Sequence, residues 1–488
     1  MEGDPAGGRR ALSLASAAGL AALAYAFPLP GLGEEARRLA AVMAAVGVLW
    51  VSEALPLAAT ALLGPAVAVA AGVAPAKDAF AALANPIVLL FVGSFLLARA
   101  LEVHRVSERI AYRALSLRLV RSDPLRAFVL LGLVTASISA FVSNTATTAM
   151  MLPIAISVLG AMRGAPGGAA GAPPAPRFAS ALVLLVAYAA SLGGLFTPIG
   201  TPPNLIGLAQ IEHAAGVRVS FAAWIARVFP VTFAALLLMM AWMAFRVRGE
   251  LGALVYERAR MLERHRALGP WTAAQRWSAG ALALAFAGWV APTVAGLAEP
   301  EAGALLAERL PEGVVPLLAC APLFVLRARG AAGARPILGQ RDLREIDWAT
   351  IVLFAGGMCL GDLMGRTGLA RGLGALAADA VPAGALLVLL SAAFAILVSE
   401  LTSNTAAANM VVPVTVAVAQ QAGADPVTPA LAATVACTFG FMLPVSTPTN
   451  AMAYATGHVR QRDMIRSGVV LDVLGAALLA LWFGALGR

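Results

Sequence analysis

Ser143-Asn144-Thr145-Ala146 and Ser403-Asn404-Thr405-Ala406 are the residues of this chain best suited to chemistry, and the string occurs once in each half. Each lies in an apolar run, the first ending in Met150-Met151-Leu152-Pro153 and the second in Met410-Val411-Val412-Pro413. Each is followed by a helix-breaking string, Thr197-Pro198-Ile199-Gly200-Thr201-Pro202-Pro203-Asn204 in the first half and Leu443-Pro444-Val445-Ser446-Thr447-Pro448-Thr449-Asn450 in the second. Ser, Asn and Thr offer hydrogen-bond donors and acceptors without the cost of burying a permanent charge. A helix that starts inside an apolar run presents backbone N–H groups with no intrahelical partner and favours an anion. Where helix unwinds, freed carbonyls suit a hard cation such as Na⁺. This is chemistry of reversible binding. A hydrolase would need a nucleophile–base pair or metal ligands, yet neither Ser143 nor Ser403 has a neighbouring His, and no His-x-x-x-His or acidic cluster lies within an apolar run. A channel would want a continuous polar lining.

The elements around these strings must hold them in a lipid bilayer. The chain has 488 residues, 60% hydrophobic and 12% charged, with a mean hydropathy of +0.83. Soluble domains carry roughly 25% charged residues, and many apolar runs here reach the ~20 residues that cross a hydrocarbon core as helix. No ten-residue alternation suggests an outer-membrane barrel. The net charge of +9 does not point to nucleic acid, because the arginines sit in loops between apolar runs, as topology determinants do. Cys320, Cys359 and Cys437, and the four histidines, are scattered without metal-ligand spacing. Arg9 and Arg10 precede a first span at about 11–29 that has no clear cleavage site, which places the N-terminus in the cytoplasm.

In order, further spans are expected at 39–52, 57–73 and 85–101, then an arginine-rich amphipathic interfacial helix within 99–126. The apolar stretch from Phe128 to Gly160 would be about 50 Å long as one helix. That is too long for one crossing, so two arms meeting at the polar Ser143–Thr145 tip are expected, a re-entrant hairpin whose tip is buried in protein. A Gly/Pro-rich loop at 160–177 leads to a span from Phe178, broken at Thr197–Pro203 and resuming near Asn204, and then to a long span at 221–245. After a cytoplasmic linker the pattern restarts, with spans at 277–296, 313–327 and 348–365, an acidic loop at 299–312 and an arginine-containing loop from 327. Leu90-Phe91-Val92-Gly93 matches Leu353-Phe354-Ala355-Gly356 at an offset of 263, close to the 260 between the Ser-Asn-Thr tips. The breaks match at Asn204 and Asn450 with an offset of 246, and the loop at 160–177 accounts for the difference. The reading is an all-α polytopic membrane protein of two inverted repeats, about eleven transmembrane helices plus two re-entrant hairpins. Its parts are an N-terminal span and turn (1–37), a first repeat (38–246), a linker (247–276) and a second repeat (277–488), with the C-terminus outside. Paired discontinuous helices in inverted repeats point to a secondary-transporter site near the midplane. Glu400, beside the second tip, is read equally as functional or as a structural acid bonded to backbone. Glu53, Asp362 and Asp472 are read as solvated or interfacial.

The two Ser-Asn-Thr strings with their Gly-Thr-Pro-Pro-Asn and Ser-Thr-Pro-Thr-Asn partners resemble the divalent anion/sodium symporter family over about residues 38–486. Its members carry C4-dicarboxylates, citrate or sulfate. The resemblance implies an inner-membrane homodimer whose protomers each have a scaffold domain and a transport domain that moves as an elevator. It implies two Na⁺ sites, Ser139, Ser143, Asn144 and Gly200 in the first and Ser399, Ser403, Asn404 and Ser446 in the second. The substrate carboxylates would meet Asn144, Thr145, Thr201, Asn404, Thr405 and Thr447, with Pro202 and Pro448 shaping the breaks. The second break departs from the first by having Thr449 where the first has Pro203. With no Arg or Lys in these strings, cations would neutralise the dianion. The same motifs would also fit a Na⁺-independent dicarboxylate exchanger, or a carrier of sulfate or another oxyanion.

Overall fold

A computed structural model describes residues 5–27, 32–164, 176–251, 254–330, 333–378 and 384–486; most of the expected loop at 160–177 lies outside them. The described chain is helical apart from two short antiparallel ribbons, Met162–Gly164 with Leu254–Tyr256 and Arg327–Gly330 with Gly333–Pro336. Six helices among the described residues are long and apolar enough to cross a membrane singly, and shorter apolar helices accompany them. Ala273–Ala298 turns most of its surface outward, with Leu297 84% exposed, as a lipid-facing helix does.

Both hairpins form. Asp123 caps the first arm by accepting from the N–H groups of Leu125 and Arg126, and Pro124 occupies the first helical position, where its missing N–H costs nothing. The arm runs to Ser139, the chain turns over four residues, and Asn144–Gly160 returns. The second hairpin pairs Ala385–Leu401 with Asn404–Gln421. Ser143 and Ser403 cap the returning arms identically, accepting from Ala146 N (3.3 Å) and Ala406 N (3.2 Å). The broken helices are Pro176–Gly193 with Pro202–Ala215, and Val427–Ala436 with Pro448–Ala455. Every residue from Phe178 to Gly193 is buried, which makes this helix the axis of the core.

The halves interlock. Pro202–Ala215, from the first half, packs against the second hairpin's arm Asn404–Gln421 and against Val427–Ala436. Pro448–Ala455, from the second half, packs against the first hairpin's arm Asn144–Gly160 and against Pro176–Gly193. Ser191 and Thr449 hydroxyls meet across this contact at 3.3 Å, and the Tyr188 hydroxyl donates to the Phe441 carbonyl at 2.8 Å. The matched Leu-Phe-x-Gly strings also touch: the Phe91 and Phe354 rings lie 4.7 Å apart. Their glycines permit close helix crossings. A Cβ on Gly93 would stand 2.7 Å from Pro316, and one on Gly356 would stand 2.2 Å from the Ala61 carbonyl oxygen.

Several expectations are corrected. The acidic segment 299–312 is not a plain loop but contains the helix Pro300–Arg309, started by proline and closed by arginine. The arginine-containing segment from 327 folds as the second ribbon and a short helix, Gln340–Arg344. The second span begins earlier than residue 39, with Glu34 and Glu35 forming its first turn. The amphipathic helix expected within 99–126 forms but is short, Val106–Leu115 after the end of Pro86–Val103, and one of its arginines is buried. Arg109 is 3% exposed and donates to the carbonyls of Gly269 (2.7 Å), Leu268 (2.8 Å) and Pro270 (3.2 Å), with its guanidinium over the Trp271 ring. Arg109→Ala orphans all three acceptors, and the expected loss is about 2–3 kcal/mol, read as a lowered Tm of the detergent-solubilised protein. An unchanged Tm would mean that water replaces the guanidinium at no cost.

Candidate functional site

Each tip is assembled from three pieces of chain: the end of the hairpin's first arm, the start of its second, and the helix break that follows. At the first tip the Ser139 hydroxyl donates to Asn144 Oδ1 at 2.9 Å, and Asn144 Nδ2 donates to Thr201 Oγ1 at 3.3 Å. Ser139 is fully buried, Thr201 is 4% exposed and Asn144 7%. At the second tip the Ser399 hydroxyl makes the same 2.9 Å contact with Asn404 Oδ1 and also meets the Cys437 carbonyl at 2.5 Å. Thr447 is bonded to Thr449 (3.4 Å) in place of the asparagine. The partners of both asparagines are uncharged.

The breaks are held by residues that the sequence reading used only as landmarks. Asn204 Nδ2 donates to the carbonyls of Gly194 and Thr197, both at 2.8 Å, and Asn450 Nδ2 donates to those of Gly440 (2.8 Å) and Leu443 (3.0 Å). The intervals are ten and seven residues in both halves, a shared offset that could have identified these asparagines as the pins of each break. Without Asn204 the Gly194 carbonyl would lose its donor, whereas the Ser446 hydroxyl also serves the Gly440 and Leu443 carbonyls. Thr197 adds a bond from its hydroxyl to the Ala140 carbonyl, tying the first break to the hairpin turn.

Oxygen atoms converge where glycine leaves room. A Cβ on Gly194 would stand 2.2 Å from Asn144 Oδ1, and one on Gly200 would stand 2.5 Å from the Gly194 carbonyl oxygen and 2.8 Å from that of Ser139. In the second half the Ser446 hydroxyl donates to the Gly440 carbonyl at 2.7 Å, and a Cβ on Gly440 would lie 3.2 Å from Ser446 Oγ and 3.4 Å from Ser399 Oγ. Neutral oxygen donors gathered around a small space are the ligand type preferred by a hard monovalent cation. Above them Thr201 and Thr447 begin the helices Pro202–Ala215 and Pro448–Ala455 without a side-chain cap. Each tip therefore carries two helix N-termini, where an anion is favoured.

Ser143 and Ser403 spend their hydroxyls as caps, and Gly200 and Ser446 lie buried in the breaks. Thr145 is exposed and Thr405 half-buried, just beyond the asparagines; Pro202 is half-buried and Pro448 exposed. Glu400 is 2% exposed, and its carboxylate accepts from Met442 N (2.6 Å) and Leu443 N (3.1 Å), which ties the second hairpin to its break. The expectation that Asp362 and Asp472 are solvated is wrong. Asp362 is 6% exposed and paired with His213 (2.9 Å) and Arg366 (2.8 Å), while Asp472 is 4% exposed beside Glu400. Glu53 is exposed, as expected.

The family model for the sodium:sulfate symporter transmembrane region matches residues 10–487. An uncharacterised transporter of Haemophilus influenzae is 31% identical over 449 residues, spanning 90% of this chain and 89% of that protein. The sodium-dependent dicarboxylate transporter SdcS of Staphylococcus saprophyticus is 28% identical over 446 residues, 88% of this chain and 82% of that one. Among solved structures, Neisseria gonorrhoeae MtrF, of a class of antimetabolite efflux pumps, superposes with a TM-score of 0.53 at 12% identity, covering 83% of this chain and 82% of its own. The Alcanivorax borkumensis YdaH transporter gives 0.52 at 15% identity, covering 83% and 86%. At these identities the two structures speak to the fold alone. Broken helices, paired tips and the match along nearly the whole chain lead to one assignment: this multi-pass membrane protein is a transporter belonging to the sodium:sulfate symporter transmembrane-region family.

Proposed function

We propose that the protein is a Na⁺-coupled symporter of C4-dicarboxylates such as succinate, malate and fumarate. The observation that carries this reading is the doubled tip: a serine–asparagine pair at 2.9 Å, a glycine-made oxygen cradle and two helix N-termini in each half. Two tips suit the two ends of a dianion, and the sodium-dependent dicarboxylate transporters among the relatives support that substrate class.

One Na⁺ is held by oxygens of Ser139, Asn144 and Gly200 and a second by those of Ser399, Asn404 and Ser446, with Ser143 and Ser403 setting the helix starts. The substrate carboxylates then meet Asn144, Thr145 and Thr201 from one half and Asn404, Thr405 and Thr447 from the other, with Pro202 and Pro448 fixing where the helices begin. Since these partners are neutral, Na⁺ binds first and offsets the charge of the dianion. The protein works as an inner-membrane homodimer with its N-terminus in the cytoplasm and C-terminus outside. Each protomer has a scaffold domain and a transport domain, and the transport domain moves as an elevator. A carrier of sulfate is the second reading, favoured by the family's own substrate.

Uptake of labelled succinate into proteoliposomes tests this. With an inward Na⁺ gradient, uptake is expected, and replacing Na⁺ by K⁺ abolishes it. Uptake that ignores Na⁺ but requires succinate inside would make the protein an exchanger. Na⁺-driven sulfate uptake without succinate uptake would move the assignment to the oxyanion.

A further inference from the structure

Away from both tips, a cavity of about 520 Å³ opens between the start of Pro176–Gly193, the end of Phe221–Leu251 and the start of Gln461–Leu481. Five arginines line it, Arg177, Arg246, Arg460, Arg462 and Arg466, against two carboxylates, Glu250 and Asp463. Both carboxylates are already engaged. Glu250 accepts from the Phe178 N–H at 2.8 Å, and Asp463 faces Arg246 at 3.8 Å, which also bonds Ser467. Arg177, Arg460, Arg462 and Arg466 have no ion-pair partner among the described residues. Two helix N-termini, at Pro176 and Gln461, stand in the same wall and add to the positive potential. Arg460 caps its helix without a side-chain bond, so that N-terminus is open to an external acceptor.

Loop arginines follow from membrane topology, but topology does not require guanidinium groups from distant parts of the chain to surround one concavity. Like charges gathered in this way repel one another, and a multiply charged anion relieves the repulsion. Guanidinium groups match phosphate oxygens in a fixed fork, and several of them can serve one phosphate at once. The volume exceeds what a bare phosphate needs, and the inner wall, with Ala181, Leu184 and Met243, is apolar. Basic pockets between membrane helices are a known form of headgroup site.

We propose that this cavity binds a phosphate-bearing anion, at a site separate from the transport tips. The ligand chemistry is a phosphate mono- or diester with an organic body, supplied by an anionic lipid headgroup or by a soluble phosphate ester. Occupancy ties the three helix ends together and stiffens the region that leads into the second half's last long helix.

The full-length protein in detergent is heated with increasing dioleoylphosphatidylglycerol, with dioleoylphosphatidylcholine as the uncharged comparison. In parallel it is heated with pyrophosphate, against chloride at equal ionic strength. A saturable rise in Tm is expected with one of the two anionic probes. In R460Q/R462Q/R466Q the concentration needed rises about 10-fold or more, the effect of losing one or two charge-assisted hydrogen bonds. R118Q/R264Q, two exposed arginines elsewhere, responds as wild type. Stabilisation by the lipid alone identifies a headgroup site; stabilisation by pyrophosphate identifies a soluble ligand. R177Q, a single exposed change, repeats the measurement if the triple variant fails to fold. No stabilisation by either probe, or equal responses in wild type and the cavity variants, overturns the proposal. Uptake plays no part in the readout, so failure of the transport reading would leave this result standing.

Discussion

Asn404→Ala and Asn144→Ala are each expected to lower Na⁺-driven succinate uptake at limiting substrate by about 100-fold, while the protein remains folded. Each asparagine holds three things together. Its carbonyl oxygen accepts from a buried serine, Ser399 or Ser139, at 2.9 Å; its own residue starts the returning arm; and its position abuts the break. Alanine leaves the helix start and its serine cap in place but removes an oxygen of the proposed Na⁺ site and, at the first tip, orphans the buried Ser139 hydroxyl. A lost buried bond is worth about 1–3 kcal/mol, or roughly 5–150-fold, before any lost ligand is counted. At the second tip the freed Ser399 hydroxyl commits to Cys437, so that variant keeps its buried bond and its Tm best. Initial rates across a Na⁺ series, taken with Tm, check this. A large fall in Tm with rates that scale to the folded fraction would make the asparagines structural and remove them from the site.

Gly194→Ala is expected to cut uptake at least about 10-fold, and Gly440→Ala to leave it close to wild type, although the two glycines hold equivalent places. At Gly194 the new methyl would stand 2.2 Å from Asn144 Oδ1 and 3.1 Å from Thr201 Cβ. The backbone has no room to retreat: a Cβ on the adjoining Gly193 would already overlap the Ala136 backbone at 2.3–2.7 Å. The asparagine must therefore turn away, losing its bonds to Ser139 and Thr201, at about 1 kcal/mol each. At Gly440 the nearest atom is Ser446 Oγ at 3.2 Å, a hydroxyl that yields by a small rotation. The uptake ratio of the two variants at saturating Na⁺ checks this asymmetry. Equal losses would mean that space at the two tips is used alike.

The hairpins and breaks were legible in the sequence because polar and helix-breaking residues are costly in an apolar run and so stand out there. Ser139 meets Asn144, and Ser399 meets Asn404, because the chain must turn at Ser143 and Ser403. The burial of Asp362 and Asp472 was not legible: it depends on His213, far away in sequence, and on Glu400 in another helix. A charged residue near a span end reads as solvated until its partner is known. The helix Pro300–Arg309 was missed although proline at its start and arginine at its end marked it, because its acidic residues suggested only a loop. Gly194 could have been singled out by its repeat equivalence to Gly440, but what it makes room for is visible only in three dimensions.

The exchange of short helices between the halves bears on how the protein matures. Asn144–Gly160 and Pro176–Gly193 are walled by Pro448–Ala455, a segment the ribosome delivers only after the whole second hairpin. The nascent first half, with its own tip residues already made, has that groove open until then. A chain truncated after the second hairpin would lack a wall of the first tip, however intact its own sequence.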